Sequence, residues 1–274
     1  MRAPEPLFDR GLRRLRRDRA ARQGGDADYL YRRAAGELLA RLDFVARPFS
    51  RALLLGEPHL SAALSARGIE PAAAEIEDLP GAAGFDLIMA LGLLDTIDDL
   101  PGALLLIRRA LRPDGLFLAA FPGAGSLPRL RRAMRAAEEA EGIGASPRLH
   151  PQIDVRAAGD LLMRVGFALP VVDREIVEVR YGSLIRLVAD LRAMGATNIL
   201  AARARRPFGR TGLAAAIADF SADADADGKT VERFEILFVS GWAPSPDQPA
   251  PARRGSATAS LAEALKPKGR GQKP

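Results

Sequence analysis

Few residues in this chain have side chains that could do chemistry, and their types limit the reactions we expect. The 274 residues include no cysteine, which excludes a disulfide framework, a thiolate metal site and a cysteine nucleophile. The two histidines, His59 and His150, are far apart in the chain, and no motif brings them together at a metal. No G-x-S-x-G motif marks a serine nucleophile. We therefore expect no metal ligands, and the catalytic residues stay unknown.

The glycine at the end of the first apolar run is the first candidate for ligand binding. Residues 52–56 (ALLLG) have the pattern of a buried parallel strand that leads into a nucleotide-binding turn. Glycines in such a turn let a ligand approach the backbone and the next helix. Here Gly56 is followed by Glu57 and Pro58, which add a side chain and remove a backbone N–H. A plain strand-to-helix turn without a ligand is an equally good interpretation.

A nucleotide site of this type also needs a carboxylate at the end of the next strand, where it binds ribose hydroxyls. Residues 68–74 contain no apolar run, so we expect that strand to be missing. The next acids are Glu75, Glu77 and Asp78, which precede another apolar run at residues 85–91 (FDLIMAL). On charge alone, these acids form an acidic loop.

Four residues near the end of the chain resemble half of a calcium loop. Asp223, Asp225, Asp227 and Gly228 match its first positions, but Phe234 stands where the loop needs a bidentate glutamate. We expect a surface turn before the last strand instead.

The elements that would position these residues alternate along the chain. Apolar runs at 52–56, 85–91 and 116–121 predict buried strands, with helices at 61–67 and 101–111 between them. This alternation predicts a doubly wound α/β sheet. Further helices are expected at 29–44, 127–142, 155–165, 183–194 and 211–220. Two strands at 171–181 and 234–242 are expected to close the other edge as a hairpin-like pair.

Positive charge is concentrated at the two ends of the chain. Residues 1–23 contain eight arginines against three acids, and residues 252–274 contain six Lys and Arg against one acid. Phe8, Leu12 and Leu15 give the first segment one apolar stripe, which predicts a solvated basic helix lying on the body. The middle of the chain is mildly acidic, which argues against a nucleic-acid partner.

Composition also divides the chain into three expected regions. These are an N-terminal helical segment at 1–50, an α/β domain with helical insertions at 51–243, and a disordered basic tail at 244–274. No apolar run reaches the ~20 residues of a bilayer span, so we expect no membrane span. The N-terminus lacks the apolar region of a secretory signal, and we expect a cytoplasmic protein.

Two long stretches carry a family resemblance: FDLIMALGLL at 85–94 and DDLPGALLLIRRALRPDGLFLAA at 98–120. They resemble the class I S-adenosylmethionine-dependent methyltransferases of type 11. Matches to one branch continue with LFDR at 7–10, DVRAAGDLLMRVGFALPVVD at 154–173, DLRAMG at 190–195 and RGSAT at 254–258. That branch is the mitochondrial complex I assembly factor 5 family with its bacterial relatives, which is similar to the malonyl-carrier-protein methyltransferases. The resemblance spans residues 7 to about 265, with one exception.

The resemblance implies S-adenosylmethionine as the cofactor and assigns five residues to its site. By position, Gly56 stands at the first glycine of the cofactor motif. Glu75 stands where an acid contacts the adenine, with Ile76 beside it. Leu91 and Gly92 stand at the end of the strand whose backbone lines the methionine part of the cofactor.

The exception is the stretch between Gly56 and Glu75. Family members have G-C-G-x-G after the first strand, then a helix, a strand ending in Asp and another helix. Only Gly56 remains here, and the 19 residues to Glu75 are too few for those elements. Leu93, Leu94 and Asp95 replace the family's usual L-H-W. We therefore expect a Rossmann-like sheet of class I methyltransferase type that lacks one strand–helix unit at its cofactor-side edge, and weakened cofactor binding.

Two functions from different classes follow from the resemblance. The first is an S-adenosylmethionine-dependent methyltransferase-like protein with a degenerate cofactor motif. The family also implies arginine hydroxylation on a respiratory complex I subunit. The second is a non-catalytic assembly or scaffold protein that keeps the partner-binding surface. The sequence leaves open whether the chain is an enzyme.

Overall fold

The computed structural model describes residues 5–23, 26–79, 81 and 83–248. The chain divides into two units, Met1–Pro244 and Ser245–Pro274. The second unit is described only at residues 245–248, where the Gln248 N–H donates to the Ser245 carbonyl. Most of the expected basic tail at 244–274 therefore lies outside the described residues.

A six-stranded sheet forms the centre of the first unit, in the order β2-β1-β3-β4-β6-β5. β1, β2, β3 and β4 are parallel, and the β4–β6 and β5–β6 pairs are antiparallel. The expected hairpin-like pair at the second edge is thus confirmed. The strands are β1 (Arg51–Gly56), β2 (Glu70–Ala74), β3 (Phe85–Leu91), β4 (Leu111–Pro122), β5 (Ala168–Tyr181) and β6 (Thr230–Trp242).

Helices cover both faces of the sheet, which confirms the doubly wound α/β class. Leu53 and Leu55 of β1 pack into a core with α4 and α6. Ala52 and Leu54, which alternate with them, pack on the opposite face with α2 and α3. The helices are α1 (Arg10–Gln23), α2 (Tyr29–Asp43), α3 (Ser61–Ala66), α4 (Leu100–Ala110), α5 (Pro128–Ala140), α6 (Val155–Val165), α7 (Leu184–Ala193) and α8 (Arg210–Ser221).

A third core joins the helical insertions to the antiparallel end of the sheet. Leu130 of α5, Leu187 of α7 and Phe220 of α8 are buried together in this cluster. Side-chain caps fix the starts of several helices: Asp99 accepts from the Gly102 N–H before α4, and Asp154 accepts from the Ala157 N–H before α6. The insertions therefore pack as ordered walls beside the carboxyl ends of the strands.

The expectation that no strand lies between Gly68 and Ala74 was wrong. β2 occupies residues 70–74 and pairs in parallel with β1, with Leu53 opposite Ala72. An edge strand needs no continuous apolar run, and β2 consists of Glu70, Pro71 and three exposed or partly exposed alanines, so periodicity did not reveal it. Among the described residues no strand pairs with the outer edge of β2. Doubly wound sheets commonly have three strands on this side, so one unit is absent.

No helix in the described part of the chain combines the length and apolar character required to cross a bilayer.

Candidate functional site

A cavity of about 270 Å³ lies at the carboxyl ends of β1, β3 and β4. Doubly wound sheets bind their ligands at this edge, where the strand order reverses, here between β1 and β3. Helices α1, α2, α5 and α7 contribute its other walls. We refer to this cavity as the cleft. Its polar end includes Arg13, Arg17, Glu57 and Asp95.

The turn after β1 is closed rather than open. Gly56 has φ +93°, and a Cβ at this position would lie 2.2 Å from the Leu91 carbonyl oxygen. The next N–H, that of Glu57, donates to the same carbonyl at 2.9 Å. Gly56 is therefore required for the close approach of β1 and β3, whether or not a ligand binds.

Glu57 and Arg17 form an ion pair inside the cleft. Arg17 Nε lies 2.8 Å from Glu57 Oε1, and the two side chains are only 20% and 13% exposed. Burial raises the pKa of Glu57, and the Arg17 charge opposes that rise. Pro58 then starts a one-turn 3-10 helix, followed by only six residues of α3. The pair lies at the turn after β1, and both of its side chains line the cleft.

Helix α1 is present as expected, but its arginines are not all solvated. Arg13 is only 8% exposed, donates to the Thr96 carbonyl at 3.2 Å and lies 3.6 Å from Glu75. Phe8, just before α1, is buried and bridges to Leu200. The prediction of a solvated helix was therefore wrong for this face: Phe8 and Leu12 pack against Ile199 and Leu200, Leu15 stays exposed, and Arg13 and Arg17 line the cleft.

The five residues expected to bind the cofactor are not all at the cleft. Leu91 and Gly92 line it. Glu75 follows β2 but is 46% exposed and is not among the lining residues. Ile76 is buried in the core and does not line the cleft either. Gly56 directly precedes the lining residue Glu57. Gly56 itself is required for the close approach of β1 and β3.

Gly92 at the end of β3 meets an aromatic ring rather than open space. Its φ is +60°, and a Cβ there would lie 2.5 Å from Cε1 of Tyr31. Tyr31 of α2 also lines the cleft. Burial raises the pKa of Tyr31, with Glu57 and Asp95 adding to the rise, so its hydroxyl stays neutral.

Asp95 is a cleft residue that the sequence did not identify as functional. It lies in a 3-10 turn after β3, and its Oδ1 atom is buried without a hydrogen-bond partner among the described residues. Burial raises its pKa to about 6, and a backbone hydrogen bond within Asp95, followed by the positive charges of Arg13 and Arg17, limits the rise. The only sign of Asp95 in the sequence was that Leu93, Leu94 and Asp95 stand where the family has L-H-W.

The two histidines lie in different surroundings. His150 lines the cleft, where its Nε2 accepts from the Ile199 N–H at 3.0 Å and its ring contacts Phe8 edge-on. Burial lowers the pKa of His150 to about 4, so it is neutral at physiological pH. His59 pairs instead with Asp28 at 2.8 Å. Within the described ranges, no three His, Asp or Glu side chains form a group that could hold a metal.

The half-match to a calcium loop forms a turn whose acids are engaged by arginines. Arg180 bonds both Asp225 and Asp227, and Asp223 pairs with Arg129 and Arg132. These carboxylates therefore stabilise the start of β6.

Comparison with known proteins gives a relationship over nearly the whole chain. No protein-family model matches it. Arginine-hydroxylase NDUFAF5, mitochondrial, of Danio rerio is 33% identical over 289 residues, 95% of this chain and 90% of the relative. Malonyl-[acyl-carrier protein] O-methyltransferase of Xylella fastidiosa (strain M23) is 35% identical over 163 residues, 60% of this chain and 53% of the relative. A SAM-dependent methyltransferase structure from Archaeoglobus fulgidus covers 79% of this chain and 95% of its own, at 12% identity and a TM-score of 0.44.

The sheet order and a cleft at the β1–β3 reversal define a Rossmann-like protein of class I methyltransferase type, with a degenerate cofactor motif. The chain belongs to the family of arginine-hydroxylase NDUFAF5, a complex I assembly factor. The match to the Danio rerio relative spans 289 positions, more than the 274 residues of this chain, so the relative has residues without a counterpart here.

Proposed function

We propose that this chain acts as an assembly protein that binds a respiratory complex I subunit and does not use S-adenosylmethionine. The ion pair between Arg17 and Glu57 is the observation that carries this proposal, because it fills the turn through which the cofactor would be held. The match across 95% of the chain supports the partner, since the resemblance includes the helical insertions as well as the sheet. The location we propose for this activity is the cytoplasm.

The residues at the β1 turn do not fit S-adenosylmethionine. A cofactor turn offers backbone N–H groups and no side chains, whereas this turn offers the Glu57 carboxylate and a proline. The acid after β2, Glu75, is half-exposed and lies near Arg13. A missing charge-assisted hydrogen bond to ribose alone weakens binding by ~10- to 100-fold. These residues therefore support no methyl-transfer step.

An enzymatic function, arginine hydroxylation or methyl transfer, is the second candidate. One observation favours it. The cleft has free space beside Leu91, Gly92 and Asp95, at the strand ends where proteins of this fold class bind their ligands. Both reactions require that the cleft bind a cofactor or co-reactant.

Isothermal titration with S-adenosylmethionine and S-adenosylhomocysteine tests the proposal. We expect no heat of binding by the native chain up to millimolar ligand. A double variant, Arg17→Ala with Glu57→Gly, removes the ion pair, and a matched variant, Arg67→Ala with Asp43→Gly, removes an exposed pair far from the cleft. Binding gained only by the first variant would identify the ion pair as the obstacle. Micromolar binding by the native chain would overturn the proposal and restore the enzymatic candidate.

A further inference from the structure

Asp95 differs from the other charged groups that line the cleft. Arg17 is paired with Glu57, and Arg148 lies 2.7 Å from Glu138. The other lining carboxylate, Glu235, lies 3.1 Å from Arg174 and accepts from the Gly125 N–H. Asp95 has no ion pair within 4.0 Å in the described part of the chain, and its buried Oδ1 accepts no hydrogen bond. Among the described residues, Asp95 is thus the lining carboxyl group that has no ion pair and has one buried oxygen without a donor, although the charges of Arg13 and Arg17 act on it from α1.

The rest of the cleft wall is largely apolar. Helices α2, α5 and α7 and the loop that follows α7 present aliphatic side chains to the same cavity, namely Leu30, Leu130, Met134, Val188, Leu191 and Met194. A cavity volume of about 270 Å³ is many times the roughly 10–15 Å³ that one enclosed water molecule requires. The space thus suits a small molecule with an apolar body.

We propose that the cleft binds a small organic ammonium ion, whose cationic nitrogen contacts Asp95 and whose apolar body packs against α5 and α7. A buried carboxylate oxygen without a hydrogen-bond donor is destabilising, and a cationic donor supplies the missing bond to Asp95 Oδ1. A neutral alcohol of the same shape gains the apolar contacts and only a weaker, neutral-donor hydrogen bond to Asp95. An anion gains no partner, because the lining arginines are already engaged. The proposal concerns the cleft only and does not depend on the complex I partner.

The charges around Asp95 set how binding depends on pH. Arg13 and Arg17 face it from α1, Tyr31 from α2 and Glu57 from the turn after β1. The arginines stay charged and Tyr31 stays neutral, and Glu57 is compensated by Arg17. Because the pKa of Asp95 is raised to about 6, its carboxyl group loses its charge below that pH. Ammonium binding should therefore weaken as the solution is acidified through this range.

The test compares two probes that share one apolar body. The native chain is titrated by NMR at neutral pH with 2-phenylethylamine, which is an ammonium ion, and with 2-phenylethanol, which is neutral. We expect the amine to bind about tenfold to a hundredfold more tightly, the range of a charge-assisted hydrogen bond. Neither titration contains S-adenosylmethionine or a protein partner, so failure here is distinguishable from failure of the proposed function.

Two variants test whether Asp95 produces the preference for the amine. Asp95→Asn keeps the shape of the side chain and removes its charge, and we expect it to fold because burial already favours the neutral form. Amine and alcohol should then bind within a few-fold of each other. Glu178→Gln removes one negative charge on the exposed side of β5, and the amine preference should be unchanged. Equal binding of the two probes by the native chain, no binding of either, or a preference that survives Asp95→Asn would each overturn the proposal.

Discussion

The backbone around Gly56 leaves no room for a side chain at this position. Its positive φ and the 2.2 Å that would separate an added Cβ from the Leu91 oxygen both exclude larger residues. We expect Gly56→Ala to lower the free energy of unfolding by roughly 2–4 kcal/mol. Gly68→Ala is the matched control, since Gly68 also has positive φ but no neighbour within 4 Å, and should cost about 1 kcal/mol. Urea unfolding of both variants measures the difference, and equal losses would show that strand packing does not depend on Gly56.

His150 should make the fold sensitive to acid. Its pKa is about 4 in the folded chain, below its ordinary value of 6.5, because burial disfavours the charged ring. The unfolded chain therefore takes up a proton as the pH falls below 6.5 while the folded chain does not. Stability from this residue is complete above pH 6.5 and falls by up to about 3 kcal/mol as the pH approaches 4. His150→Gln should show a shallower loss of stability between about pH 7.5 and about pH 4.5.

Asp95 should act in the opposite direction over an overlapping range. Its pKa is raised from 3.8 to about 6, so the folded chain is the better proton binder between these values. Acidification from pH 6 towards 3.8 therefore adds stability, and the two residues partly offset each other in the native chain. Asp95→Asn should be more stable than the native chain at about pH 7.5 and should lose stability more steeply on acidification. Unfolding curves at the two pH values test this; a variant that is less stable at the higher pH would contradict it.

At the scale of elements, the docking of α1 depends on a partly buried ion pair. Arg17→Met leaves Glu57 without its partner, and Glu57→Gln leaves Arg17 without its counter-charge. Each change should lower the free energy of unfolding by about 1–3 kcal/mol, and the double variant by clearly less than the sum. A double-mutant cycle by chemical unfolding gives the coupling. Additive losses would show that the two side chains do not interact in solution.

Most elements were predictable from the sequence because the sheet centre is buried on both faces. The continuous apolar run of β3 and the 3.6-residue periodicity of α6 predicted the bounds that the structure has, 85–91 and 155–165. β2 was not predictable, since an alanine-rich edge strand with Pro71 has no such pattern.

The cleft was only partly predictable for a similar physical reason. Leu91 and Gly92 were assigned by their position in the family resemblance, and both line the cleft. Asp95 and Arg17 were not, since their burial is produced by the tertiary docking of α1 over the strand ends. Periodicity reports which residues share a helix face, and it does not report which long side chains reach a neighbouring cavity.

For the whole molecule, the family relationship and the residues at the turn after β1 support different functions. The chain matches the Danio rerio relative over 95% of its length, yet the sheet edge is shortened and an ion pair lies at the turn after β1. We expect a protein that binds its partner by its surface to keep its packed elements even where the turn after β1 has changed and the sheet edge is shorter.

The most direct test is to delete the gene in the source organism and measure complex I together with the masses of its subunit peptides. The account predicts that less assembled complex I accumulates while every subunit peptide keeps its mass. Re-expression of the native chain should restore assembly, and so should Glu57→Gln expressed at the same level, because no cofactor is involved. A subunit peptide that loses a methyl group or an oxygen atom on deletion, and regains it on re-expression, would contradict the account and show that the chain is an enzyme.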